Sequence, residues 1–154
     1  MTFRFQGLPS ERFAPLMALS DAALAGQGIR RVVADEKPGF PCRVSLADAE
    51  PGERLLLLNF EHQPGDTPYR ASGPIFVREA VVAAFKGTEV PEQLRCRLLS
   101  LRAYDAEGMM VDADVTEGTA IETLLERLFA DPAVDYVHVH FARRGCFAAR
   151  VDRG

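Results

Sequence analysis

Apolar and polar residues alternate along this chain in short runs, and a few runs change to the helical period. Phe3 and Phe5 alternate with polar neighbours, the period of a short half-buried strand. Ser10 is placed to cap a helix carrying Phe13, Leu16 and Met17 on one face, and Asp21–Ala25 reads as a second helical turn closed by Gly26 and Gly28. Ile29–Asp35 is strand-like, and Glu36–Cys42 is a turn broken by two prolines. In Glu53–His62, Leu55–Leu58 and Phe60 are apolar on both alternating faces, as in a strand covered on both sides. Gln63–Pro74 is the longest irregular stretch, and loops of that length inside a compact domain are often functional. Ile75–Arg78 is extended, and Glu79–Gly87 predicts a short helix ended by Gly87.

The second half carries two hairpin patterns. Leu98–Val115 splits at Asp105-Ala-Glu-Gly108, with Gly108 at the left-handed position of a bulged turn. With Asp105 opposite Met109, the register predicts Leu99, Leu101 and Ala103 facing Val115, Ala113 and Val111 on one apolar face. Arg102 then faces Asp112, and Ser100 faces Asp114, on the other. In Val134–Asp152, Gly145 takes the equivalent turn position. Phe141, Val139 and Val137 are expected to face Phe147, Ala149 and Val151. The opposite face holds Tyr136, His138, His140, Cys146, Ala148, Arg150 and Asp152, with the two histidines about 6–7 Å apart at Cα.

Between the hairpins, Thr119-Ala-Ile-Glu122 has the spacing of a capping box, and Ile121, Leu124, Leu125, Leu128 and Phe129 share one helical face until Asp131-Pro132 stops the helix. A strand–helix–strand passage of this kind favours a right-handed crossover within one sheet. The helix is expected to cover Val111, Val115, Val137 and Val139, leaving Arg102, Asp112, Asp114, His138, His140 and Arg150 together on the far face. The elements amount to an α+β fold, an antiparallel-hairpin-rich mixed sheet with a capped amphipathic helix packed on one face.

A length of 154 residues suits one domain, residues 1–154, large enough to bury a core without disulfides. The net charge of −4 argues against a broad nucleic-acid or anionic-membrane surface, although a small basic cluster can still serve one anionic ligand. No segment approaches 18 consecutive apolar residues, and the first residues hold no apolar run of signal-peptide length. Cys42, Cys96 and Cys146 are odd in number and form no CxxC pair, which excludes a disulfide framework and suits a reducing, cytoplasmic setting.

No GxSxG, P-loop, HExxH or GxGxxG motif is present. The candidate chemistry lies on the histidine face. His138, His140 and Arg150, with Arg102 and Arg143 or Arg144, are donors suited to a small anionic molecule, and the imidazoles are acid–base candidates. Tyr69, Arg70 and Ser72 join them if their loop folds over the sheet. Cys146 follows two arginines and a glycine and is a candidate nucleophile, with His140 diagonal to it. A metal-dependent enzyme using His138, His140 and Asp112 or Asp114 is the alternative, weakened by a guanidinium opposite His138. A third reading is an interaction module with no small-molecule site, and the bland one is a polar-faced hairpin with satisfied histidines. No cofactor is assigned and protein partners stay open.

"PYRASGPIFVREA", "LRAYDAEGMMVDADV" and "YVHVHFARRGCFAARV" together resemble the bacterial domain-of-unknown-function family catalogued as number twelve hundred and three. The resemblance runs from Gly39 to the end. It implies a single-domain protein of similar length, and it brings no activity and no catalytic residue with it.

Overall fold

A computed structural model describes every residue except Val81 and Val82. The chain is α+β, built on two antiparallel sheets. The strands are β1 (Phe3–Gln6), β2 (Arg30–Val33), β3 (Arg54–Gln63), β4 (Ala71–Arg78), β5 (Lys86–Gly87), β6 (Leu98–Tyr104), β7 (Met110–Glu117), β8 (Tyr136–Phe141) and β9 (Phe147–Arg153). The helices are α1 (Ala14–Met17), α2 (Asp21–Ala25), α3 (Glu92–Arg95) and α4 (Ile121–Phe129). The larger sheet has the order β5-β1-β9-β8-β6-β7, the smaller β2-β3-β4.

Helix α4 lays the expected face, Ile121, Leu124, Leu125, Leu128 and Phe129, on Leu99, Leu101, Ala103, Val137, Val139 and Val151 of the larger sheet. The β7–α4–β8 passage crosses over β6, which pairs with both strands. On the smaller sheet, Leu56, Leu58 and Phe60 of β3 meet Phe13, Leu24 and Ile29, while Leu55 on its other side joins Ala34 and Ala49. Strand β3 is therefore covered on both sides, as its continuous apolar run requires.

Several local expectations are corrected. Ser10 begins a 3-10 turn preceded by Pro9 and makes no capping bond. The Thr119–Glu122 box does not form. A 3-10 turn over Gly118–Ala120 leads into α4, and Glu122 turns instead to a two-pronged contact with Arg95, 2.6 Å at its Nη1. A charge-assisted fork outcompetes a bond to one backbone amide. No helix forms in the described part of Glu79–Gly87, where Lys86 and Gly87 pair with β1, and the centre of that expected helix, Val81–Val82, lies outside the described residues. The irregular stretch expected over Gln63–Pro74 is shorter at both ends, since Gln63 closes β3 and Ala71–Pro74 belong to β4.

The β6–β7 register slips by one. Arg102 faces Ala113, Ala103 faces Asp112 and Tyr104 faces Met110, so Val111 is an extra residue in β7. Because side chains alternate, the slip reverses the faces of β7. Asp112 and Asp114 lie on the α4 side and pair with Arg127, at 3.2 and 2.8 Å, while Val111 and Val115 are exposed rather than covered.

Candidate functional site

The histidine face of β8 is an inter-sheet layer, not a solvent-facing one. His138 and His140 are buried, with the larger sheet's helix-side core behind them and the end of β3 in front. A bulge in β3 arranges this. Glu61 faces Ser72 and Gln63 faces Ala71, so His62 is the extra residue. Bulges bend a strand and re-aim its side chains. Here His62 and Gln63 both reach the larger sheet. Gln63 Nε2 donates to the Tyr136 hydroxyl at 2.8 Å and to the Gly108 carbonyl at 3.2 Å.

His62 makes the third member of a cluster. Its ring lies 5.0 Å from that of His140 and 6.2 Å from that of His138, centroid to centroid. One ring nitrogen from each of the three histidines lies within 4.8 Å of those of the other two. Phe147 stacks flat on His62 at 5.4 Å, and Tyr104 and Tyr136 flank His138 at 5.2 and 5.1 Å.

The hydrogen bonding around these rings is incomplete in an informative way. His140 Nδ1 lies 3.0 Å from the Gly145 carbonyl oxygen. A carbonyl only accepts, so the neutral ring must carry its hydrogen on Nδ1, leaving a bare lone pair on Nε2. That Nε2 is buried without a hydrogen-bond partner among the described residues, and so are Nδ1 of His138 and Nδ1 of His62. The rings of His138 and His140 are held neutral. Burial pushes His138 down to about 2, with His140, His62 and the arginines at 150 and 102 adding to it. Burial likewise brings His140 to about 4 against the pull of the Gly145 bond, and lowers His62 with help from Arg102.

Of the expected partners, Arg102 faces His138 and stands on this face, with no ion pair among the described residues. Arg150 also faces His138, yet it is engaged by Asp152 at 2.8 Å and stacks over Tyr136 at 4.2 Å. Asp112 and Asp114 are on the opposite face, which removes the carboxylate arm of the expected metal site. Exposed Arg70 pairs with half-buried Glu61, Ser72 is exposed on β4, and Tyr69 only meets the edge of Tyr104 at 6.4 Å. Those three do not converge on the histidines.

Cys146 is corrected as well. A bulge in β9 leaves Ala148 extra, so His140 faces Phe147, and Phe147 rather than Cys146 enters the histidine face. The Cys146 thiol turns to buried Arg43, whose Nη2 donates to Sγ at 3.1 Å. Arg143 and Arg144 remain exposed in the turn. His62, Gln63 and Phe147 were not among the sequence candidates. The only advance signal was that His62 is the chain's one remaining histidine, ending its most apolar strand.

Neither a curated protein nor a solved structure matches the chain. One family does, described as a protein of unknown function (DUF1203), and it spans residues 39–153, which include His62, His138, His140 and every strand of the two sheets except β1 and β2. By that match the chain belongs to the DUF1203 family.

Proposed function

We propose that this protein holds a divalent transition-metal ion on His62, His138 and His140, with a fourth position left for water or an anionic ligand. The observation that carries the reading is the fixed tautomer of His140, with a buried unpartnered Nε2 lone pair, in a cluster whose other two imidazoles also hold an unpartnered buried nitrogen and in which one ring nitrogen of each histidine lies within 4.8 Å of the others. A lone pair of this kind needs a Lewis acid or a hydrogen donor. A bare anion offers neither, so the anionic ligand expected on this face fits best as a companion of the metal. Arg102, with no ion pair among the described residues, would offset such an anion, and three protein ligands with one open place is the pattern that polarises water or a bound oxygen. Imidazoles favour zinc, copper, nickel and cobalt over magnesium or calcium. Nitrogens around a tetrahedral zinc sit roughly 3.4 Å apart, given bonds of about 2.1 Å, so a set lying within 4.8 Å needs only a small closure on binding. The second-neighbour bond from His140 Nδ1 to a backbone carbonyl is the support that metal-bound imidazoles commonly have. The unpaired cysteines fit a reducing compartment.

Titration calorimetry of EDTA-stripped protein with zinc, and the visible spectrum with cobalt, test the reading. One equivalent of zinc is expected to bind, with a tetrahedral cobalt spectrum, and His62→Ala and His140→Ala should each weaken zinc by at least about 100-fold. Loss of one of three ligands to a metal far exceeds the 10- to 100-fold typical of outer partners. Absence of saturable binding, or binding indifferent to His62→Ala, overturns it.

A further inference from the structure

On the other side of the β8–β9 turn lies a separate cavity of about 370 Å³. Four arginines line it, Arg43, Arg97, Arg143 and Arg144, against two carboxylates, Glu36 and Glu117. This is a local excess of positive charge in a chain whose net charge is −4.

The four guanidiniums are not equivalent. Arg97 is neutralised by Asp48 in a two-pronged contact of 2.6 and 2.9 Å. Arg43 is about 1 % exposed, and it donates to the carbonyls of Pro41 and Phe147 at 2.5 and 2.7 Å and to the Cys146 sulfur at 3.1 Å. It has no carboxylate partner among the described residues, so a buried cation forms the cavity wall without a formal counter-charge. Arg143 and Arg144 project from the turn and make no ion pair among the described residues. Guanidiniums so placed match the oxygens of a carboxylate or phosphate. The remaining wall is apolar and partly aromatic. Phe141 lies under both Arg43 and Arg97, each 5.0 Å above its ring, and Phe76 and Leu98 stand nearby.

We infer that this cavity is a binding site for a small organic oxyanion, its charged head taken by Arg143 and Arg144 beside Arg43 and its apolar body resting against Phe76 and Phe141. The site is independent of the three histidines and shares none of their side chains. Cys146, on the same wall, is its built-in reporter.

The test uses phenyl phosphate as probe, with inorganic phosphate and phenol as controls, and EDTA throughout so that no metal-bound anion contributes. Binding is followed by NMR shifts and by the rate at which iodoacetamide alkylates Cys146, read by peptide mapping. Phenyl phosphate at millimolar concentration is expected to bind saturably and slow labelling of Cys146, phosphate to bind more weakly, and phenol not to compete. The double variant Arg143→Gln/Arg144→Gln, confined to an exposed turn, should fold as the parent does and weaken phenyl phosphate by about tenfold or more, since charge-assisted bonds are lost. No saturable binding to the parent, or equal binding to the double variant, overturns the site.

Discussion

Single positions decide where chain segments can touch. Gly118, buried between β7 and α4, sits so close to α3 that a Cβ there would lie 1.8 Å from the Leu94 carbonyl oxygen and 2.7 Å from that of Arg95. Both obstacles are backbone, which cannot swing aside as a side chain can, so Gly118→Ala must displace α3 or the start of α4. The cost expected is about 3 kcal/mol, at the upper end of overpacking penalties. Gly73→Ala is the matched control, because nothing lies within 4 Å of its Cβ, and it should change stability by less than about 0.5 kcal/mol. Urea denaturation of both variants checks the contrast, and equal midpoints would refute the close approach. At this scale the sequence was a fair guide to burial and a poor one to partners. The apolar residues assigned to α4 all reach the core, whereas Glu122, read as a cap, belongs to Arg95, and Cys146, read as a neighbour of His140, belongs to Arg43. A charged or thiol side chain goes to whichever partner the tertiary fold brings near, and that partner can be a hundred residues away.

Among the elements, the lesson is carried by three bulges, at His62, Val111 and Ala148. Strand periods, turns at Gly108 and Gly145, and the helix Ile121–Phe129 were legible, because local sterics and apolar spacing specify them. An inserted residue is not written in the alternation. It changes the face of everything beyond it, which is why Asp112 and Asp114 were expected beside the histidines and are found beside Arg127. The candidate site was half legible for the same reason. His138 and His140 share the face their spacing implied, and the third imidazole arrives through a bulge in a strand more than seventy residues earlier. The corrected faces of β7 and α4 make a quantitative distinction. Arg127 contacts Asp112 and Asp114 with about half of each side chain in solvent, so Arg127→Ala should cost under about 1 kcal/mol and less at high salt. Leu125, fully buried on the other side of the same helix, should cost about 2–5 kcal/mol as Leu125→Ala. Comparable losses in a thermal or urea series would mean that the aspartates, not the apolar stripe, hold α4 in place.

For the whole molecule, joining two sheets through neutral buried imidazoles makes stability depend on pH in a window that carboxylates do not share. His138 and His140 are held neutral in the native protein, at about 2 and about 4, chiefly by burial. In the unfolded chain each takes up a proton near 6.5. Below about 6.5 the unfolded state therefore binds more protons than the native one, so stability is complete above that pH and falls as the pH falls. Each histidine contributes a slope of about 1.4 kcal/mol per pH unit. By pH 4.5 the two together remove on the order of 5 kcal/mol, comparable with the whole stability of many domains. Glu122, whose carboxyl Arg95 holds below its ordinary value, acts in the same direction but begins only as the pH drops under about 4.5. The interval from 6.5 to 4.5 thus belongs to the imidazoles. In EDTA the protein should lose stability steeply across it, and His140→Leu should lose it about half as fast. A metal on the three histidines competes with the same protons, so saturating zinc should move the acid midpoint of the parent to lower pH and leave that of His140→Leu in place. An acid limb that begins only below 4.5 in the parent would mean that the rings are not buried neutral between the sheets, and the lone-pair argument for the metal would fall with them.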